Sequence, residues 1–236
     1  MLEDQFREEL AKIKRVGIED LSKWLDESDF YSAPASIVYH NNYAGGLVDH
    51  SVNVLDVMCL LVDQLQMTEE LGLKEDLTTL RVCGLLHDVC KVGYYVIDSE
   101  PATDPQIKYM LDLCSKKGVR PPNEEIRTKG HITDVISALK EGRDLPEYVP
   151  HYKVKEALPM GHGEKSVYII MKYMDLTDEE ALAIRWHMAG FDPGIHFNYP
   201  SGFPAKQAAQ ESKLVNLLFS ADYIATYLVD VWPPKK

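Results

Sequence analysis

The 236-residue sequence is short of positive charge: 25 Lys and Arg stand against 37 Asp and Glu, a net charge of −12. A passive clamp on long nucleic acid works by neutralising phosphates with Lys and Arg, so that class is disfavoured. A phosphate-handling site remains open if metal ions supply the positive charge. The four cysteines, Cys59, Cys83, Cys90 and Cys114, form no C-x-x-C pair, which excludes a zinc ribbon and a thioredoxin-like redox motif. They read as reduced, mostly buried thiols. No window approaches the roughly 18 apolar residues that a membrane span needs. The opening MLEDQFREELAKIKRV is charged and amphipathic rather than leader-like, so a cytoplasmic protein without a membrane partner is expected. Internal repeats and low-complexity blocks are also lacking. Strand signals are thin: Tyr94 to Ile97 and Tyr148 to Val154 suffice for one short hairpin but not for a sheet.

What the sequence has is helical periodicity. Hydrophobic residues make up 45% and charged ones 26%, which is globular composition. Leu47, Val48, Val52, Leu55, Met58 and Leu61 or Val62 recur at helical spacing. A second helix fits Asp76 to Cys90, with Asp76 as N-cap and Leu77, Leu80, Leu85 and Leu86 facing the core. Thr177 and Glu180 have capping-box spacing and open a helix that Gly190 ends. Ala205 to Val231 reads as one long helix stopped by Pro233 and Pro234. The expectation is one all-α domain over 1–236: N-terminal helices and a loop to 43, a core over 44–225, and a polar surface insertion at 116–130.

Histidines beside carboxylates carry the chemical signal. His50 lies in GGLVDHSVNVL near the start of the first long helix, and His87 and Asp88 are adjacent in LLHDVCK. Asp222 is a lone acid on an otherwise apolar helical face in LLFSADYIA. Burying such heads without partners is costly, and a metal ion would satisfy them. His50, then His87-Asp88, then Asp222 resemble the H…HD…D signature of the HD-domain metal-dependent phosphohydrolase superfamily, with LLHDVCK close to its usual form. Phage-associated and nucleic-acid-processing HD proteins look most similar. The resemblance implies an HD-type helical bundle, binding one or two divalent ions (Mn, Fe, Co, Ni, Zn or Mg).

His162 in GHGEKS and His187 in IRWHMAG fall where two-metal members of that superfamily place second-site ligands. Met188 stands where several of them have a further histidine, so a second ion is expected to be held more loosely. A bound divalent ion lowers the pKa of its water to roughly 7 and polarises a phosphoryl oxygen. Asp88 is the natural bridging ligand, and Lys91, one turn beyond His87, is placed to meet a phosphate oxygen. Lys165 and Arg185 are further substrate-binding candidates. GHGEKS is no Walker A loop, because Glu164 separates Gly163 from Lys165.

The expected activity is hydrolysis of a phosphomonoester or phosphodiester of a nucleotide or short single-stranded nucleic acid. A di-iron oxygenase on the same scaffold and a non-catalytic nucleotide-binding module are the alternatives. His40, His131, His151 and His196 read as surface residues, Cys90 as packing, and Tyr94, Tyr95, Trp186 and Phe191 as core rather than a base-stacking pocket.

Overall fold

The computed structural model describes residues 2–66, 69, 77–188, 191 and 203–231. The chain divides into two compact units, residues 1–94 with 156–236 and residues 95–155.

The first unit is helical. It contains α1 (Glu3–Ala11), α2 (Ile18–Glu27), α3 (Gly46–Gln64) and α4 (Thr78–Leu86), followed by a 3₁₀ turn at Val89–Lys91. α3 is the central element, burying Leu47, Val48, Val52, Val54, Leu55 and Met58 against the other helices. α4 approaches it closely because Gly84 has no side chain: a Cβ there would stand 2.8 Å from the Leu55 Cα. That close approach brings His87, just past the end of α4, beside His50 in the first turns of α3.

α7 (His162–Ile170) and α8 (Asp178–Trp186) pack the same way. A Cβ at Gly163 would lie 2.2 Å from the Arg185 carbonyl oxygen, so the absence of a side chain lets the start of α7 reach the end of α8. The Thr177–Glu180 capping box opens α8 as expected. Arg15, in the loop after α1, forms a two-pronged pair with the buried Glu180 at 2.6 and 2.7 Å.

The expected helix from Ala205 to Val231 is three pieces. α9 (Phe203–Glu211) stops at Ser212, whose backbone is extended, α10 (Lys213–Ile224) restarts beyond it, and Ala225–Val229 is a π-helical turn. The proposed caps and stops at Asp76, Gly190, Pro233 and Pro234 lie outside the described residues, as does His196.

The second unit holds α5 (Asp104–Lys117) and α6 (Lys129–Glu141), with strands β1 (Tyr95–Ile97) and β2 (Tyr152–Val154) at its two ends. The strands pair antiparallel, Tyr95 opposite Val154 and Ile97 opposite Tyr152. The two strand-like runs therefore meet, but α5 and α6 connect them rather than a turn. The polar insertion expected at 116–130 is part of this larger unit. Its helices bury a cluster of their own, Met110, Cys114, Ile132, Val135 and Leu139, whose spacing is too sparse to stand out in sequence. His131 is buried there rather than exposed, and the half-buried His151 bonds Asp134 at 2.8 Å. Among the described residues, no helix is long and apolar enough to cross a membrane.

Candidate metal centre

Six residues singled out in the sequence converge inside the first unit. His50 comes from α3, His87 and Asp88 from the end of α4, His162 from the first residue of α7, His187 from the end of α8, and Asp222 from α10. His50 Nε2 lies 3.3 Å from His87 Nε2, 3.2 Å from Asp222 Oδ1 and 3.6 Å from Asp88 Oδ2. His87 Nε2 is 3.6 Å from Asp88 Oδ2. Asp88 Oδ1 faces His162 Nε2 at 2.6 Å and His187 Nε2 at 3.6 Å. Asp88 is thus central to the cluster, within reach of all four imidazoles.

The second nitrogen of each ring decides what the first one offers. His87 Nδ1 lies 2.9 Å from the Gly84 carbonyl and His187 Nδ1 2.6 Å from the Ile184 carbonyl. A carbonyl oxygen only accepts, so both Nδ1 atoms carry a proton, which leaves Nε2 of each ring, when neutral, to present a lone pair. His50 Nδ1 likewise donates to Asp230 Oδ2 at 2.8 Å. Fixing the outer nitrogen to aim the inner one is how proteins orient metal-binding imidazoles.

Among the described residues, His187 Nε2 is buried without a hydrogen-bond partner, an arrangement that normally demands an explanation. Converging lone pairs and carboxylates around that orphaned nitrogen fit a divalent cation. Among the described residues, four sets of ligand-competent groups have their donor atoms within 4.8 Å of one another: His40, His50 and Asp230; His50, His87 and Asp222; His87, Asp88 and His187; and Asp88, Cys90 and His162.

Charge in the cluster is strongly perturbed. Burial opposes ionisation of Asp88, but Lys91, His87 and His162 hold it well below the usual carboxylate range. Burial likewise opposes ionisation of Asp222, and the hydrogen bond from His50 outweighs it. Burial pushes His87 down to about 3. Burial would also lower His50 and His162, yet Asp222 and Asp230 raise the first to about 9, and Cys90 and Asp88 raise the second to about 10.

Lys91 Nζ sits 2.5 Å from Asp88 Oδ2. It lines a small cavity, about 90 Å³, shared with Cys90, Tyr94, Glu156, His162 and Lys165. Lys165 is buried, paired with Glu156 at 2.8 Å and lying over the Tyr94 ring. Arg185 is not brought into this cavity: its guanidinium pairs with Glu164 at 2.5 Å and lies over Trp186. A larger groove of about 880 Å³ along α1 and α2 is lined by none of the described histidines.

Several residues depart from the sequence expectation. His40 is buried, not superficial, with Nδ1 2.6 Å from Asp230 Oδ2. Asp230 also accepts from Asn41 and Asn53, at 3.0 and 2.8 Å. The surroundings of the site therefore extend past both 44 and 225, the limits expected for the core. Asp230 shows the signal that marked Asp222, an acid within an apolar run, YLVD, and was legible on that ground. Cys90 is buried as expected but also touches His162, with Sγ 3.2 Å from Nδ1. Trp186 is core, Tyr94 lines the cavity, and Phe191 is exposed.

Residues 47–141 match the family model of the HD domain. The dihydroneopterin 2',3'-cyclic phosphate phosphodiesterase of Methanocaldococcus jannaschii is 31% identical over 80 residues, 34% of this chain. The match spans 31% of that protein's own length. No solved structure matches the chain significantly.

Proposed function

We propose that this chain, which belongs to the HD-domain superfamily, is a metal-dependent phosphohydrolase acting on a phosphoester of a small nucleotide or nucleotide-like molecule. The observation that carries the proposal is the convergence of four imidazoles and two carboxylates from five helices around the orphaned His187 Nε2. His50, His87, Asp88 and Asp222 would hold one ion, and Asp88 with His162 or His187 a second. When bound, such ions supply an activated water and polarise the phosphoryl oxygen.

The chain's own residues do the rest. Lys91, held against Asp88, is placed to take the charge of a phosphoryl oxygen as it develops. An ammonium cannot ligate a cation, so its role lies with the substrate. Lys165 presents a second positive charge to the same cavity, kept in place by Glu156 and the Tyr94 ring. Asp230, His40 and the carbonyls of Gly84 and Ile184 fix the ring orientations. The net charge of −12 favours a small substrate over long nucleic acid, and the name of the archaeal relative, a cyclic-phosphate phosphodiesterase, supports a diester of a heterocyclic molecule.

The test is a screen of metal-loaded protein against cyclic nucleotides, nucleoside mono-, di- and triphosphates, cyclic dinucleotides and short oligonucleotides, with Asp88→Ala alongside. Hydrolysis that Asp88→Ala abolishes together with metal retention is expected. Full metal content in that variant, or dioxygen consumption without phosphate ester cleavage, would overturn the proposal.

A further inference from the structure

We propose that Cys90 is itself a metal ligand, and that its thiolate, with Asp88 and His162, makes a sulfur-containing position that selects zinc, cobalt or ferrous iron over magnesium and manganese. The inference rests on the metal reading above and adds a donor to it.

Asp88 and Cys90 flank Val89 at the 3₁₀ turn after α4, and α7 delivers His162 to the same place. Cys90 is 2% exposed. Its Sγ lies 3.2 Å from His162 Nδ1 and 3.7 Å from Nε2, while Asp88 Oδ1 lies 2.6 Å from Nε2. These three donors fall within 4.8 Å of one another. Two ligands of one tetrahedral ion, with bonds of about 2.0 Å to nitrogen and 2.3 Å to sulfur, stand roughly 3.5 Å apart. The observed separation of Sγ and Nε2 is close to that span.

A second observation points to a cation beside the same carboxylate. His187 Nε2, buried and without a hydrogen-bond partner among the described residues, lies 3.6 Å from Asp88 Oδ1. His187 groups with His87 and Asp88, however, whereas the compact partners of His162 are Asp88 and Cys90. A second position built on His162 gains its third protein donor from sulfur, which compensates for the missing histidine at Met188. The small cavity bordered by Cys90, Lys91 and His162 opens on two of these donors and leaves room for an exchangeable ligand. Thiolate is a soft donor that hard, oxygen-preferring cations bind poorly, and coordination deprotonates the thiol outright.

The experiment is titration of the metal-free protein with cobalt(II), followed from the visible into the near ultraviolet. Visible ligand-field bands report cobalt in the centre, and a thiolate-to-cobalt charge-transfer band growing with one equivalent reports sulfur. Cys90→Ser is expected to lose the charge-transfer band, keep the ligand-field bands, and bind that equivalent more than about tenfold more weakly. Cobalt binding without charge-transfer absorption, or a band that persists in Cys90→Ser, overturns the cysteine assignment and leaves the metal centre standing. Such a result would make Cys90 only the acceptor of the His162 Nδ1 proton. Failure of the protein to take up any divalent ion would overturn the metal reading itself.

Discussion

Replacing Asp230 with Asn tests whether a carboxylate outside the ligand set governs the metal centre. Oδ2 of Asp230 accepts from both His40 Nδ1 and His50 Nδ1, and Oδ1 accepts from the Asn41 and Asn53 amides. All four neighbours donate, so a carboxamide in this place sets its NH₂ against two donors whichever way it turns. Turned towards the histidines, it forces His50 to accept at Nδ1, which puts the ring proton on Nε2, the atom aimed at the metal. Turned towards the asparagines, it needs Asn41 to flip, although Asn41 Oδ1 already accepts from Val231 N at 2.8 Å. Burial opposes ionisation of Asp230, but the bonds from His40 and His50 hold it well below the usual carboxylate range. The substitution therefore removes a charge as well as an acceptor. Loss of such a partner typically costs 10–100-fold in metal affinity, or about 1.4–2.8 kcal/mol. Calorimetric titration with zinc gives the affinity, and nitrogen NMR of the imidazoles gives the His50 tautomer. Affinity within about twofold of wild type, with the Nδ1-protonated tautomer of His50 retained, would refute the reasoning.

Three further outcomes follow from the same geometry. Lys91→Met is expected to lower turnover by about 10²–10³ while metal content by elemental analysis stays unchanged; near wild-type turnover would make Lys91 only the counter-ion of Asp88. Gly163→Ala drives a methyl group to 2.2 Å from the Arg185 carbonyl oxygen. It should cost about 1–3 kcal/mol in thermal unfolding and weaken metal binding by separating α7 from α8, so unchanged values of both would contradict the packing argument. Because His50 and His162 are raised to about 9 and 10, both rings carry an extra proton at pH 7 in the metal-free protein. A metal takes only the neutral ring, so uptake at pH 7 should release about two protons from these rings, in addition to any from a coordinating thiol, and affinity should rise with pH until both rings are neutral. Metal binding without proton release in weakly buffered solution would disprove this.

The sequence alone determined the all-α class, the long helix carrying His50 and the capping box of α8, because each is written locally; His50, His87, Asp88 and Asp222 also stand out there as metal-competent heads, whereas His162 and His187 are picked out only by resemblance to two-metal HD proteins. Helical periodicity and cap chemistry act over a few residues. A metal-competent head on an apolar stretch is conspicuous wherever it occurs, as at His87-Asp88 and Asp222. Other features depend on contacts that no local pattern encodes. His40 and Asp230 meet across 190 positions, and only the return of the chain after α10 buries that pair behind His50. The second unit emerged because α5 and α6 bury a small cluster between them, while local composition over 116–130 signalled only polarity. The break at Ser212 runs against an apolar pattern continuous enough to read as one helix. Cys90 looked like packing because a cysteine's neighbours in sequence do not reveal which nitrogen it will face. Folding α7 onto the turn after α4 set its sulfur against His162, and tertiary structure alone decided that contact because the partners lie 72 residues apart.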